Sequence, residues 1–117
     1  MNSTSRREKR IFTYEAAIEL LPTVQQITTA AAGQVEALLE GDTEGDEAEV
    51  PPELQPQYEK IVAGWVESIL GIGVEVKGLW LVDFDSGSGY YCWRYPEPAL
   101  QYFHGYEEGF SGRVQLN

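Results

Sequence analysis

The residues best equipped for chemistry crowd into one stretch, Gly73 to Arg113. It holds the only cysteine, Cys92, the only histidine, His104, and both arginines that lie outside the first ten residues, Arg94 and Arg113. Ten of the fourteen aromatic residues fall between Trp80 and Phe110. His104 is followed at three and four positions by Glu107 and Glu108. A histidine and a carboxylate at that spacing share a metal when the segment is helical. Gly105 favours a turn instead, so spacing alone defines no metal site. Cys92 and Asp83 would have to join His104 in space. The plainer expectation is a hydrogen-bonded histidine at the end of a strand.

Cys92 sits in Tyr90-Tyr91-Cys92-Trp93-Arg94-Tyr95. Alternation along a strand puts Cys92 on one face with Tyr90 and Arg94, and Tyr91, Trp93 and Tyr95 on the other. A thiolate beside an arginine and a histidine is a nucleophile. No oxyanion-hole signature accompanies it, and a free cysteine between aromatic residues packs as a small hydrophobe. Arg94 and Arg113 present planar forks suited to carboxylate or phosphate. Internal pairing with Asp83, Glu97, Glu107 or Glu108 is the expected use, a clasp tying the C-terminal loop to the sheet. The run Gly109-Phe110-Ser111-Gly112 lacks the spacing of a P-loop or dinucleotide fingerprint, so no cofactor is expected.

Two helices and a small sheet must position these groups. Phe12-Thr13-Tyr14-Glu15-Ala16 opens the first helix, with Thr13 as N-cap and Phe12 placed to staple onto the first turn at Ala17. Ala17, Leu21, Val24, Thr28, Ala31, Val35 and Leu38 recur at steps of four and three, an apolar seam over residues 14–39. Pro22 lies inside it, where a kink or break is expected. Residues 40–49 hold six acids and two glycines. Asp42, Glu44, Asp46 and Glu53 fall at calcium-loop positions, but Glu47 stands where the loop needs glycine, so 40–52 reads as an acidic linker. A second helix over 53–70, with Pro56 at its first position, carries Tyr58, Ile61, Val62, Trp65, Val66 and Ile69 on one face. From Val74 the period changes to that of strands: 74–77, 79–83, 90–95 and 100–104, with a turn at 85–89 and a rigid Pro96-Glu97-Pro98. The fold class expected is α+β, a long antiparallel helical hairpin followed by a small antiparallel sheet of three to four strands and a C-terminal loop ending at 113.

Composition bounds the rest. At 117 residues the chain forms one domain, able to bury roughly two thirds of its unfolded surface. Its net charge is -11, although residues 1–10 carry four basic groups against one acid. So acidic a body argues against nucleic acid and against an anionic membrane surface as partners. The basic arm reads as a frayed terminus. One cysteine allows no intrachain disulfide, no apolar run reaches the ~20 residues of a membrane span, and no signal peptide stands out. A soluble protein of the reducing cytoplasm is expected.

The chain resembles a bacterial family catalogued as domain of unknown function 2203. The resemblance rests on Phe12-Thr13-Tyr14-Glu15-Ala16, Leu21-Pro22, Gly73-Val74-Glu75-Val76-Lys77, Val82-Asp83-Phe84, Cys92-Trp93-Arg94, Tyr102-Phe103-His104 and Gly109-Phe110-Ser111-Gly112-Arg113. Members usually carry Trp-His where this chain has Phe103-His104, and a proline where it has Asp85. The resemblance implies a small helix-plus-sheet protein and carries no activity, so it transfers no catalytic residue.

Two functions follow from these readings. The first is a non-enzymatic interaction module that joins to itself as a homodimer or higher oligomer, because the apolar and aromatic patterning exceeds what one small core needs. The alternative is a small-ligand, anion or metal-binding protein with a site built from Asp83, Cys92, Arg94, His104, Glu107 and Arg113. A reaction class is not selected, and register decides which of these six meet.

Overall fold

The computed structural model describes residues 10–39 and 50–116. Helix α1 spans Tyr14–Leu38 and α2 spans Gln55–Gly71, the latter entered through a short 3-10 turn at Pro52–Leu54. Five strands follow: β1 Glu75–Gly78, β2 Leu81–Asp85, β3 Tyr90–Arg94, β4 Tyr102–His104 and β5 Val114–Gln115. Each strand pairs antiparallel with the next in sequence, giving a simple meander. The architecture is α+β as expected, with a sheet one strand larger than the expected upper count. The extra strand is two exposed residues held against Tyr102 and Phe103. So short a segment shows no period in sequence.

Thr13 caps α1, its Oγ1 accepting the Ala16 N–H at 3.0 Å. Pro22 does not break the helix. It lies on the exposed side, where water can serve the Ile18 carbonyl that proline leaves without a donor. Phe12 is fully buried, but its ring packs on Phe84 of β2 at 5.3 Å and its N–H donates to the Asp85 carbonyl at 2.7 Å. The residue expected to staple the helix therefore fastens the chain to the sheet. The helices run antiparallel, so Thr28 meets Trp65 while Leu38 and Gln57 line one groove. Pro56 occupies the second position of α2 rather than the first. Gly73 ends that helix at φ +88°, its N–H donating to the Leu70 carbonyl. Arg10 crosses beside it and donates to the Ile72 carbonyl at 3.1 Å, a cation at the negative end of the helix.

The helices cover one face of the sheet. Val82, Phe84 and Trp93 point into a core with Leu21, Val24, Trp65 and Ile69. Burying each such side chain contributes about 1.5–3 kcal/mol. The turn between β1 and β2 lies later than the sequence suggests, at Gly78–Leu81, with Trp80 at φ 59°. A bulky residue rarely takes that left-handed conformation. Packing imposes it here: the Trp80 ring meets Trp65 at 4.9 Å and its carbonyl accepts the Tyr95 N–H at 3.0 Å. Leu79 and Trp80, which read as strand, form the turn, and β2 extends to Asp85 instead.

Candidate functional site

The outer face of the sheet carries the other half of each alternation. Register places Asp83 opposite Cys92 and Tyr90 opposite His104. With the two-residue period, Glu75, Lys77, Asp83, Cys92, Arg94, Tyr90, Tyr102 and His104 all belong to this face. Among the described residues neither α1 nor α2 covers it, yet Asp83, Cys92 and His104 are at most 4% exposed. The loop after β4 supplies the cover. Glu108, Gly109 and Phe110 close over Lys77, Leu81, Asp83, Cys92 and His104 to enclose a pocket of about 260 Å³.

His104 and Asp83 form the centre. The His104 Nε2 stands 2.9 Å from Asp83 Oδ2, and its Nδ1 stands 2.9 Å from the Gly105 carbonyl. That carbonyl can only accept, so Nδ1 carries a hydrogen and donates to it. A second proton lies between Nε2 and Oδ2. The other carboxylate oxygen, Asp83 Oδ1, is buried with no hydrogen-bond partner among the described residues. Cys92 completes a cluster in which one ligand atom from each residue lies within 4.8 Å of the others.

The surrounding charges are arranged in two tiers. Lys77 reaches Asp83 Oδ2 and Glu75 Oε1, both at 3.5 Å, and lies 3.9 Å above the Tyr90 ring. Burial draws its pKa down, but the charges of Asp83, Tyr90 and Glu75 outweigh this and hold it above the ordinary lysine value. Tyr90 donates to Glu75 Oε1 at 3.1 Å. Burial, then the Glu75 charge, raises its phenol. The Cys92 thiol is pushed up to about 12, first by burial and then by the Asp83 carboxylate, against a smaller opposing pull from Arg113. A thiol so disposed is protonated at neutral pH and is no nucleophile by itself.

Arg113 forms the outer clasp. Its Nη1 lies 2.9 and 3.2 Å from the two oxygens of Glu97 and 3.9 Å from Cys92 Sγ. Its guanidinium stacks on Tyr102 at 3.8 Å and on Phe110 at 4.1 Å. Arg94 reaches the same Phe110 ring at 5.3 Å. Phe110 is thus gripped by both arginines while it roofs the pocket. Glu108 fixes the loop from inside, its Oε1 accepting the Gly105 N–H at 3.0 Å while its own N–H donates to the Gly105 carbonyl.

Of the six residues singled out in the sequence, Asp83, Cys92 and His104 line the pocket, Arg113 touches it through Cys92, and Arg94 sits on its rim. Glu107 is exposed and outside the lining, whereas its neighbour Glu108 is part of it. Lys77 was missed. The only signal was its odd-numbered register with Glu75 on a short strand, visible once that strand is paired with β2. The calcium-loop positions Asp42, Glu44 and Asp46 lie outside the described residues.

A family model described as "Uncharacterized conserved protein (DUF2203)" matches residues 10–116. No curated protein and no solved structure matches the chain.

Proposed function

The chain belongs to the DUF2203 family of uncharacterized conserved proteins, and from that premise we propose that it is a ligand-binding domain whose site is the roofed pocket around His104. One observation carries the reading. Two ionisable side chains and a thiol are buried on a sheet face that has no helical layer to bury them, beneath a loop held down by its own set of contacts. Burying such groups costs free energy unless they are satisfied. A structural sheet face would be cheaper with apolar residues there. Pockets of this kind, mostly enclosed with a few convergent polar groups, are where small ligands bind.

The test is a nuclear magnetic resonance titration of the full, chelator-stripped chain with acetate, inorganic phosphate and imidazole. Shifts are expected at Lys77, Asp83, Cys92, His104 and Glu108 for at least one probe, and their loss in Lys77→Ala. Shifts absent from all five with every probe, or confined to the helices, would sink the reading.

A second reading, self-association, is favoured by the helical layer. Between α1 and α2 runs a groove of about 900 Å³ lined by Ile27, Ala31, Leu38, Ile61, Gly64 and Trp65. Small residues on its walls admit a close neighbour, and a second copy of the same groove is the partner we propose. Sedimentation at micromolar concentration checks it: a dimer is expected, and a clean monomer of 13.1 kDa excludes it. No helix among the described residues is long and apolar enough to cross a membrane.

A further inference from the structure

We propose that the pocket binds one zinc ion through Asp83 Oδ1, Cys92 Sγ and His104 Nε2, leaving a fourth position open to the cavity. The inference rests on the ligand-binding reading above and names its ligand.

Three observations lead to it. One ligand atom each from Asp83, Cys92 and His104 lies within 4.8 Å of the others, and His104 Nε2 stands 2.9 Å from Asp83 Oδ2, the neighbour of the proposed ligand oxygen. Around tetrahedral zinc, neighbouring nitrogen, oxygen and sulfur ligands sit roughly 3.3–3.7 Å apart, as the usual bond lengths require. The cluster is of that size, and its three side chains stand on adjacent paired strands, Asp83 opposite Cys92 on one side and His104 one strand further on. Asp83 is 1% exposed and its Oδ1 has no partner among the described residues. An orphaned carboxylate oxygen is costly in the interior, and a cation removes the cost. The His104 Nδ1–H is already committed to the Gly105 carbonyl. That bond keeps the Nδ1 hydrogen in place and fixes the ring plane, as outer contacts of metal-bound histidines do, so Nε2 presents its lone pair once the proton it shares with Asp83 Oδ2 has left.

The donor set selects the metal. Calcium and magnesium require six or more oxygens, or several waters with carboxylates, and reject a thiol. A thiolate, an imidazole and a carboxylate together suit a borderline-soft divalent ion, and zinc accepts all three without redox chemistry. Charge balance agrees. With Asp83 and Cys92 as anions and His104 neutral, the zinc complex is neutral, which suits a buried site. Without metal, the thiol is protonated and one proton is shared between His104 and Asp83, again a neutral group. Binding therefore releases two protons, one from Cys92 Sγ and one from the Nε2–Oδ2 bond. The high thiol pKa of the metal-free state gives no obstacle, since a coordinating thiol is deprotonated outright.

Three protein ligands and an open position mark a site that exchanges a ligand rather than a closed structural zinc. The open position faces Lys77, Glu108 and Phe110. Lys77 already lies 3.5 Å from Asp83 Oδ2 and keeps that contact when zinc takes Oδ1.

The experiment is calorimetry and optical spectroscopy of the full, chelator-stripped chain with Zn²⁺ or Co²⁺ alone. One equivalent of Zn²⁺ is expected, with an enthalpy whose dependence on buffer ionisation reports two protons released. Co²⁺ should give a thiolate charge-transfer band and the intense visible bands of tetrahedral cobalt. Cys92→Ser should abolish the charge-transfer band and weaken Zn²⁺ more than tenfold, and His104→Gln should weaken it similarly, while Glu107→Gln binds as the native chain does. If either ligand variant fails to fold, protection of Cys92 from alkylation by Zn²⁺ under mild denaturant supplies the same reading on the native chain. No uptake of Zn²⁺ at equimolar concentration, a cobalt complex without the thiolate band, or Cys92→Ser binding as tightly as native would overturn the zinc site. Should the anion and imidazole probes still perturb the pocket, the zinc assignment alone falls; if they too leave it untouched, the ligand-binding reading falls with it.

Discussion

Arg113 reaches both carboxylate oxygens of Glu97, at 2.9 and 3.2 Å, from a side chain only 12% exposed. Glu97 is also bound from below: its Oε1 accepts the Arg94 N–H at 2.9 Å and its carbonyl accepts the Trp93 indole N–H at 2.8 Å. One glutamate thus joins the end of β3, the turn after it and the roof of the pocket.

Replacing Glu97 with Gln removes the charge from that junction while keeping its shape. Charge-assisted bonds in partly buried sites contribute about 1.5–3 kcal/mol, so a loss of roughly that size is expected in urea unfolding. Hydrogen exchange at Gly109–Arg113 should quicken more than exchange in α1. A variant with native stability and native exchange would show that Phe110 alone holds the loop.

Between the helices, the Trp65 indole N–H donates to Thr28 Oγ1 at 2.8 Å, and both side chains are buried. Thr28→Val keeps the volume and orphans the donor, which costs about 1–3 kcal/mol. Trp65→Phe in the Thr28→Val background removes the orphan, so the two changes should cost less together than their separate sum. Strict additivity would rule out a stabilising bond.

Two glycines predict opposite signs. Gly73 has φ +88°, and a Cβ there would stand 2.7 Å from the Arg10 side chain. Gly73→Ala should destabilise the fold by more than about 1 kcal/mol. Gly33 lies within α1 with nothing within 4 Å of its added Cβ, so Gly33→Ala should stabilise by roughly 0.5–1 kcal/mol. Thermal unfolding of the pair reads both, and a shared sign would contradict the argument.

The Cys92 thiol predicts an alkaline limit for the metal-free chain. Its pKa is raised from 9.0 to about 12 in the fold. Below pH 9 the thiol is protonated in both states and its contribution is complete. As pH climbs from 9 towards 12 the unfolded chain loses the proton while the folded chain keeps it, so stability falls. Asp83 and Arg113 face the thiol, and Lys77 and Tyr90 next to Asp83 are also raised by the fold, so they act with the same sign. Comparing Cys92→Ala with the native chain isolates the thiol: the native chain should lose stability more steeply above pH 9. Parallel curves would show that the thiol is less confined than its burial indicates.

Much of the fold was legible because its signals are local. The Thr13 cap, the seam from Ala17 to Ala31 and the change of period at Val74 each depend on residues within a few positions. The same is true of the two faces of β3, which set Cys92 with Tyr90 and Arg94. The turn at Trp80 was not legible, because Leu-Trp-Leu-Val has strand composition and the contacts that hold Trp80 at positive φ, its ring on Trp65 and its carbonyl on the Tyr95 N–H, come from distant parts of the chain. The site was legible in part. Its residue types stood out by rarity, but the meeting of Asp83, Cys92 and His104 needs two strand registers at once, and neither is written in any short segment. Glu97 entered only as one of four acids available to Arg113.

Every side chain lining the pocket comes from one uninterrupted run, Lys77 to Phe110, because each strand pairs with its neighbour in sequence. The helices contribute nothing to that lining. The chain therefore separates its tasks: one half supplies an apolar support in which volume-conserving swaps between apolar residues cost little, and the other is a self-contained cassette whose chemistry lies across the sheet from such changes.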